Sequence, residues 1–200
     1  RPGFAMGSGY DPGQAGQDRV RGDSALSGAV ELRGASDCTI RRCRIAHTGG
    51  NGVMIDGNRN RVVECEIFDT GGAGVAIGPF GHAAPYTAPS ADCSISDSAV
   101  HNFGAVYGDT VGIWASAAPR LVIEHNHVSQ GGYSGISAGW IWGHEYTSAP
   151  GECPPYHVPR FMESTVIRAN DVSAVMREVT DGGGINVRGS QGGPAPAQMS

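Results

Sequence analysis

The phrases GVMID (Gly52–Asp56), GVAIG (Gly74–Gly78), GIWAS (Gly112–Ser116), GISAG (Gly135–Gly139) and GINVR (Gly184–Arg188) are one motif written five times. Each is a glycine followed by alternating apolar residues. Their starts lie 22, 38, 23 and 49 residues apart, so two steps are close to 22 and two are longer, as if loops were inserted. A second phrase falls between them: CTIRRCRI from Cys38, RVVECEI from Arg61, CSISDSAV from Cys93, LVIEHNHV from Leu121 and TVIRANDV from Thr165. Aligned on their apolar residues, these phrases make Ile40, Val62, Ile95, Ile123 and Ile167 equivalent. Ile45, Ile67, Val100, Val128 and Val172 form a second equivalent set.

The phrases are short, rich in β-branched residues and alternate with period two, which predicts strands. No stripe of helical period is sustained. Turns rich in Gly and Asn separate the strands. A coil of about 22 residues holding two or three short strands is the pattern of a parallel β-helix. A single coil cannot bury its apolar residues. Stacked coils can, placing Ile on Ile and Val on Val at a spacing of about 4.8 Å. The chain is therefore expected to be an all-β, parallel β-helix solenoid of about six coils over residues 29–189. Insertions are expected at 79–92, 103–108 and 141–163, with an irregular lead-in over 1–28 and a flexible tail over 190–200. A solenoid ending in such a tail leaves an open sheet edge, so further coils or another subunit are expected to cover the ends.

Composition narrows the function classes. All 14 basic residues are arginine, against 19 acidic ones, for a formal net charge of −5. That balance argues against a nucleic-acid footprint. The longest charge-free run, Thr70 to Ala91, is full of Gly, Pro, Ser and Thr and is no membrane span. The start, RPGFAMGSGY, shows no basic region leading into an apolar one, so a signal peptide is read as absent or already removed. Five cysteines without a C-x-x-C spacing give little support to zinc or redox motifs and leave disulfide pairing open. Cys43, Cys65, Ser98, Asn126 and Asn170 fall on one equivalent position at a turn, where small or amide side chains can point inward and satisfy backbone groups. Cys43 and Cys65 read there as buried turn fillers, with a disulfide between them as the lesser reading.

The positions three before each repeat glycine are Gly49, Gly71, Asp109, Gly132 and Asp181. Stacking sets the two aspartates on one flank, roughly 9.5 Å apart at Cα, with Gly132 between them. Paired carboxylates suit glycoside hydrolysis, and a separation of about 6.5–9.5 Å suits inversion. Each aspartate could equally accept backbone N–H bonds in its own turn. Glu124 is a third acidic candidate, as a general acid or a brace, or else a solvated surface residue. His125 and His127 are two apart and nominally share a face, but no third ligand makes a metal site of them. His144 opens HEYTS, which lacks the second His of a zincin motif. Residues following each glycine by two, Met54, Ala76, Trp114, Ser137 and Asn186, are expected to point outward in a row. Trp114, Tyr133, Trp140 and Trp142 crowd the later coils, and exposed aromatic faces beside carboxylates suit sugar rings.

The stretches GDTVGIWASAAPRLVIEHNHVSQGGYSGISAGWIWG (Gly108–Gly143) and VMREVTDGGGINVRGSQGG (Val175–Gly193) resemble right-handed parallel β-helix proteins of the pectate-lyase-like superfamily. The resemblance covers about residues 29–193 and is nearest to β-helix glycoside hydrolases of the α-fucosidase/xylanase type. It implies extracellular or periplasmic carbohydrate chemistry with acidic catalysts. Carried over by motif, Asp181 of DGGGI ranks first, Asp109 of GDTVGIW second and Glu124 third. Trp114, Tyr133, Trp140, Trp142, His125, His144 and Asn186 are read as the substrate-binding residues, although Asn186 stands where the resembled family has an aromatic. No cofactor or metal is implied for a hydrolase, and the partner is a polysaccharide or oligosaccharide, with no nucleic acid or membrane. Two other functions fit the same fold. A polysaccharide lyase would need a base and often Ca²⁺, and the chain has no lysine. A non-catalytic carbohydrate-binding scaffold would need neither.

Overall fold

The computed structural model describes residues 26–78, 90–116, 118–139, 162–187 and 198–199. Their strands, numbered in chain order, form three parallel sheets. The first sheet stacks β1 (Gly28–Arg33), β4 (Asn51–Asp56), β7 (Val75–Ile77), β10 (Ile113–Ala115), β13 (Ile136–Ala138) and β16 (Ile185–Val187). The second stacks β2 (Thr39–Arg41), β5 (Arg61–Val63), β8 (Ser94–Ser96), β11 (Val122–Glu124), β14 (Val166–Arg168) and β17 (Gln198–Met199). The third stacks β3 (Arg44–Thr48), β6 (Glu66–Thr70), β9 (Ala99–Phe103), β12 (His127–Ser129) and β15 (Asp171–Ser173). Each of the first five coils contributes one strand to each sheet, the sixth contributes β16 and β17 to the first two, and strands pair with their counterparts in the neighbouring coils. This is a parallel β-helix. β17 lies in the segment expected to be a flexible tail, and it pairs with β14 to extend the second sheet.

Register follows the repeats. Val53, Val75, Ile113, Ile136 and Ile185 are successive partners in the first sheet. Ile40, Val62, Ile95, Ile123 and Ile167 are partners in the second, and Ile45, Ile67, Val100, Val128 and Val172 in the third. These inward columns make one core that runs the length of the described coils. It is fully buried at its middle and half-buried at Val30, Leu32, Ile40, Val172, Ile185 and Val187, near the two ends.

The repeat glycines owe their place to closeness rather than to backbone conformation. None of Gly52, Gly74, Gly112 and Gly135 has a positive φ. A Cβ on Gly112 would lie 2.7 Å from the Gly135 carbonyl oxygen and 2.8 Å from both Phe103 and Val128. Gly52, Gly74 and Gly135 likewise face the inward column of the third sheet, at Ile67, Val100 and Val172. The coil is pinched at this point, and only a hydrogen fits.

Corners are built differently from the Gly- and Asn-rich turns expected. The left-handed region is occupied by Asp37, Arg59, Asp92, Arg120 and Ser164 at one corner, and by Arg42, Glu64, Asp97, His125 and Ala169 at the next. His47, Asp69, Asn102, Gln130 and Ala174 make a third such column. A non-glycine residue there costs on the order of 1–2 kcal/mol. Two things offset it. The corner amides bond to the next coil, as from Arg42 to Val63 (3.1 Å) and from Asp97 to Glu124 (3.2 Å). In the first column the side chains also alternate in charge along the stack: Arg59 forks onto Asp37 (2.7 and 2.8 Å), and Arg120 forks onto Asp92 (2.6 and 2.8 Å) while reaching Glu163 (3.0 Å). Glu64 lies between Arg41 and Arg42, whose hydrogen bonds hold its carboxyl down at about 2. Arg120 thereby ties together the residues that close the insertions over 79–92 and 141–163.

The inward turn position behaves as its small and amide residues suggest. Ser98 Oγ accepts from the Cys65 amide (3.0 Å), Asn126 Oδ1 from the Ser98 amide (3.1 Å) and Asn170 Oδ1 from the Asn126 amide (3.0 Å). The side-chain amides of Asn126 and Asn170 donate to the Ile95 and Ile123 carbonyls, one coil back in each case. Of the two thiols expected to be buried here, Cys65 is buried and Cys43, in the first coil, is exposed.

Candidate functional site

The first sheet places the aspartates. Gly112, Gly135 and Gly184 are joined rung to rung by backbone bonds, from the Ile113 amide to the Gly135 carbonyl (2.8 Å) and from the Gly135 amide to the Gly184 carbonyl (3.1 Å). Asp109 and Asp181 each stand three residues ahead of an outer member of this trio, so both enter the sheet at the same end. Their surroundings differ. Asp109 is 4% exposed, next to a buried Thr110 whose hydroxyl donates to the Tyr107 carbonyl (2.8 Å). Asp181 is exposed.

The difference arises from how the sixth coil approaches the sheet. Met176, Glu178 and Val179 donate backbone bonds of 2.9, 2.9 and 3.0 Å to the carbonyls of Tyr133, Gly132 and Gly132. In the fourth coil, Gly104, Ala105, Val106 and Tyr107 make the corresponding bonds to residues 70–72 of the preceding coil. Both coils that carry one of these aspartates therefore have an extra segment lying along the preceding coil. In the sixth coil the chain then turns through Asp181 and Gly182. That turn is clamped from below. The Tyr133 hydroxyl donates to the Asp181 carbonyl, the Gly183 amide donates to Ser134 Oγ (3.3 Å), and Gly182 lies so close to the Tyr133 ring that a Cβ would stand 2.8 Å from it.

One carboxylate on this flank was not singled out in the sequence. Glu178 lays its side chain over Gly108 and Gly132, where a Cβ on Gly108 would overlap the carboxylate and one on Gly132 would stand 3.3 Å from Cδ. Gly108 and Gly132 make the notch and Glu178 fills it; Gly108 directly precedes Asp109, and Glu178 stands three residues before Asp181. The only cue in the sequence is the shared register of GDTVGI and TDGGGI, because the contact joins residues 46 and 70 apart in the chain. Among the described residues, no group of three or more His, Cys, Asp or Glu side chains is arranged to hold a metal ion.

The outward row is in register, with Met54, Ala76, Trp114, Ser137 and Asn186 successive partners. It is not the open aromatic surface expected. Trp114 is 2% exposed and Tyr133 fully buried, in a second apolar cluster with Met54, Ala73, Ala76 and Val111, against which Met176 and Val179 pack. Covering an indole and a phenol ring in this way removes apolar area that the sheet face would otherwise show to water. Trp114 and Tyr133 thus support the flank from beneath, and Tyr133 holds the Asp181 turn. Asn186 is half-buried in β16.

The other candidates lie elsewhere. Glu124 sits on β11 in the second sheet, paired with Arg168 of the next coil at 2.6 Å. His125 occupies the left-handed corner after it and faces Asp97 at 3.6 Å, whereas His127 on β12 faces Asp171 at 3.0 Å. The corner between them breaks the alternation that would have put both imidazoles on one face. Trp140, Trp142 and His144 lie outside the described residues.

The stacked coils define the class as a parallel β-helix. The family model described as "Right handed beta helix region" matches residues 27–139, and the chain belongs to that family. Among solved structures, a protein named "Glycoside hydrolase" is similar, with a TM-score of 0.65 and 21% sequence identity. The match covers 82% of this chain and 27% of that one, so the chain spans about a quarter of the neighbour's length. No curated protein matches the sequence.

Proposed function

We propose that the chain is the carbohydrate-cleaving part of a β-helix glycoside hydrolase, with Asp181 and Asp109 as its carboxylate pair. The observation that carries this is the flank itself: two aspartates entering one sheet from equivalent places, with the Glu178 carboxylate lying over the glycine notch between their coils. The glycoside hydrolase among similar structures supports the choice of chemistry on this fold. In such a reaction one carboxyl protonates the leaving oxygen while the other activates water or attacks the sugar. Asp181 is the member open to substrate, and the Tyr133 and Ser134 bonds keep its turn in place. The substrate would be a polysaccharide or oligosaccharide met outside the cell or in the periplasm. The aromatic residues Trp140 and Trp142 and the nearby His144 would add contacts to the sugar. The α-fucosidase/xylanase branch is the one its motifs resemble most.

Product chemistry tests the proposal. Incubation with a panel of plant and microbial glycans should release reducing ends without the ultraviolet absorbance of a new C=C bond. Products that do absorb there would make the protein a lyase. Glycan binding with no turnover, unaffected by Asp181→Asn, would make it a binding scaffold.

A further inference from the structure

Cys43 and Cys65 occupy adjacent rungs of the inward turn column. Their following residues, Arg44 and Glu66, are direct partners, and the Glu66 amide donates to the Cys43 carbonyl at 2.9 Å. Neighbouring strands lie about 4.8 Å apart, within the Cα separation of about 4.4–6.8 Å that a disulfide spans. Both thiols lean the same way, Cys43 Sγ donating to the Arg41 carbonyl (3.4 Å) and Cys65 Sγ to the Val63 carbonyl (3.3 Å). Cys65 Sγ also reaches into the coil that holds Cys43, to the Ile40 carbonyl at 3.5 Å. Cys43 is exposed and Cys65 buried.

The rest of the column explains why this step is distinctive. Cys65 is tied to Ser98, Ser98 to Asn126 and Asn126 to Asn170, each through a side-chain acceptor in the following coil. The step from Cys43 to Cys65 has two thiols in place of such a tie. Cys38 and Cys93 share another column, but Asn60 stands between them, at two strand spacings or roughly 9.5 Å, beyond the reach of a disulfide.

We propose that Cys43 and Cys65 form an inter-coil disulfide by exchange with a small aliphatic disulfide, and that this bond locks the first coil to the second. The Cys43 thiolate attacks one sulfur of the small disulfide, whose S–S bond breaks and whose other half leaves as a thiol. Cys65 then attacks Cys43 Sγ, forming the protein disulfide and expelling the second small thiol. The two protein thiols are oxidised by two electrons, the small disulfide is reduced by two, and the two thiol protons end on the two released thiols.

Oxidised glutathione is the probe. Wild-type protein treated with it should lose the mass of two hydrogen atoms and yield a crosslinked peptide joining Cys43 to Cys65. The melting temperature should rise by roughly 5 °C, as a closed loop of this size constrains the unfolded chain. Cys43→Ser, a change at an exposed thiol, should keep the fold and lose both the mass change and the rise. An unchanged mass, a stable glutathione adduct on Cys43, a crosslink mapped to other cysteines, or an equal rise in Cys43→Ser would each overturn the proposal.

Discussion

Gly112→Ala is expected to lower the melting temperature by roughly 6–12 °C, from overpacking of about 3 kcal/mol at about 2–4 °C per kcal/mol. The new methyl would meet the Gly135 carbonyl oxygen at 2.7 Å and the Phe103 and Val128 side chains at 2.8 Å. One of these is backbone of the next coil, and the others are core side chains held on both sides. Relief requires the fourth and fifth coils to separate where the sheet is paired, at Ile113 and Ile136. Gly34→Ala is the control. Gly34 has a φ of +62° and nothing within 4 Å of an added Cβ, so its substitution carries only the backbone penalty. That is on the order of 1–2 kcal/mol. Thermal melts that rank Gly34→Ala as the more damaging change would show that the repeat glycines serve conformation, not the pinch between sheets.

Asn126→Ala should cost about 3 kcal/mol, read as a lower midpoint in urea with an unchanged slope. Asn126 is 2% exposed. Its oxygen accepts from the Ser98 amide, and its nitrogen donates to the Ile95 carbonyl and to Asn170 Oδ1, all at 3.0–3.1 Å. Alanine leaves a buried N–H and a buried C=O in the neighbouring coil unbonded, which dominates the loss of the amide itself. Asn126→Asp keeps the acceptor for Ser98 but removes the donor and buries a charge, so it should be no better than alanine. A midpoint close to wild type for Asn126→Ala would mean that the inward column does not hold the turns.

The columns were legible in the sequence because in-register parallel stacking repeats the same environment at each coil. Ile123 needs what Ile95 and Ile167 need, so equivalent positions carry similar residues. The turn column was legible for the same reason, from its small and amide side chains. The corners were not. Arg59, Glu64 and Asp92 sit in the left-handed region with no local signature, because what holds them there is a bond to the next coil and an opposite charge 22–28 residues away. The cover over the cluster that holds Trp114 was hidden as well, since Met176 and Val179 pack against that cluster from more than sixty residues beyond Trp114. Alternation correctly aimed Trp114 outward, but outward on this solenoid does not mean toward water. Glu178 escaped notice because glycines, which carry no side chain to suggest a partner, form the notch it fills. His125 and His127 were placed on one face by counting, and the corner between them undoes the count.

We propose that Asp109 and Asp181, brought to one flank by the register of the coils, perform the cleavage together. The most direct test compares initial rates of reducing-sugar release by wild type, Asp109→Asn and Asp181→Asn on a glycan that the wild type hydrolyses, with the folds checked by their melts. Each variant should lose at least about 10²-fold in rate while melting near the wild-type temperature. Undiminished rates in both variants would contradict it.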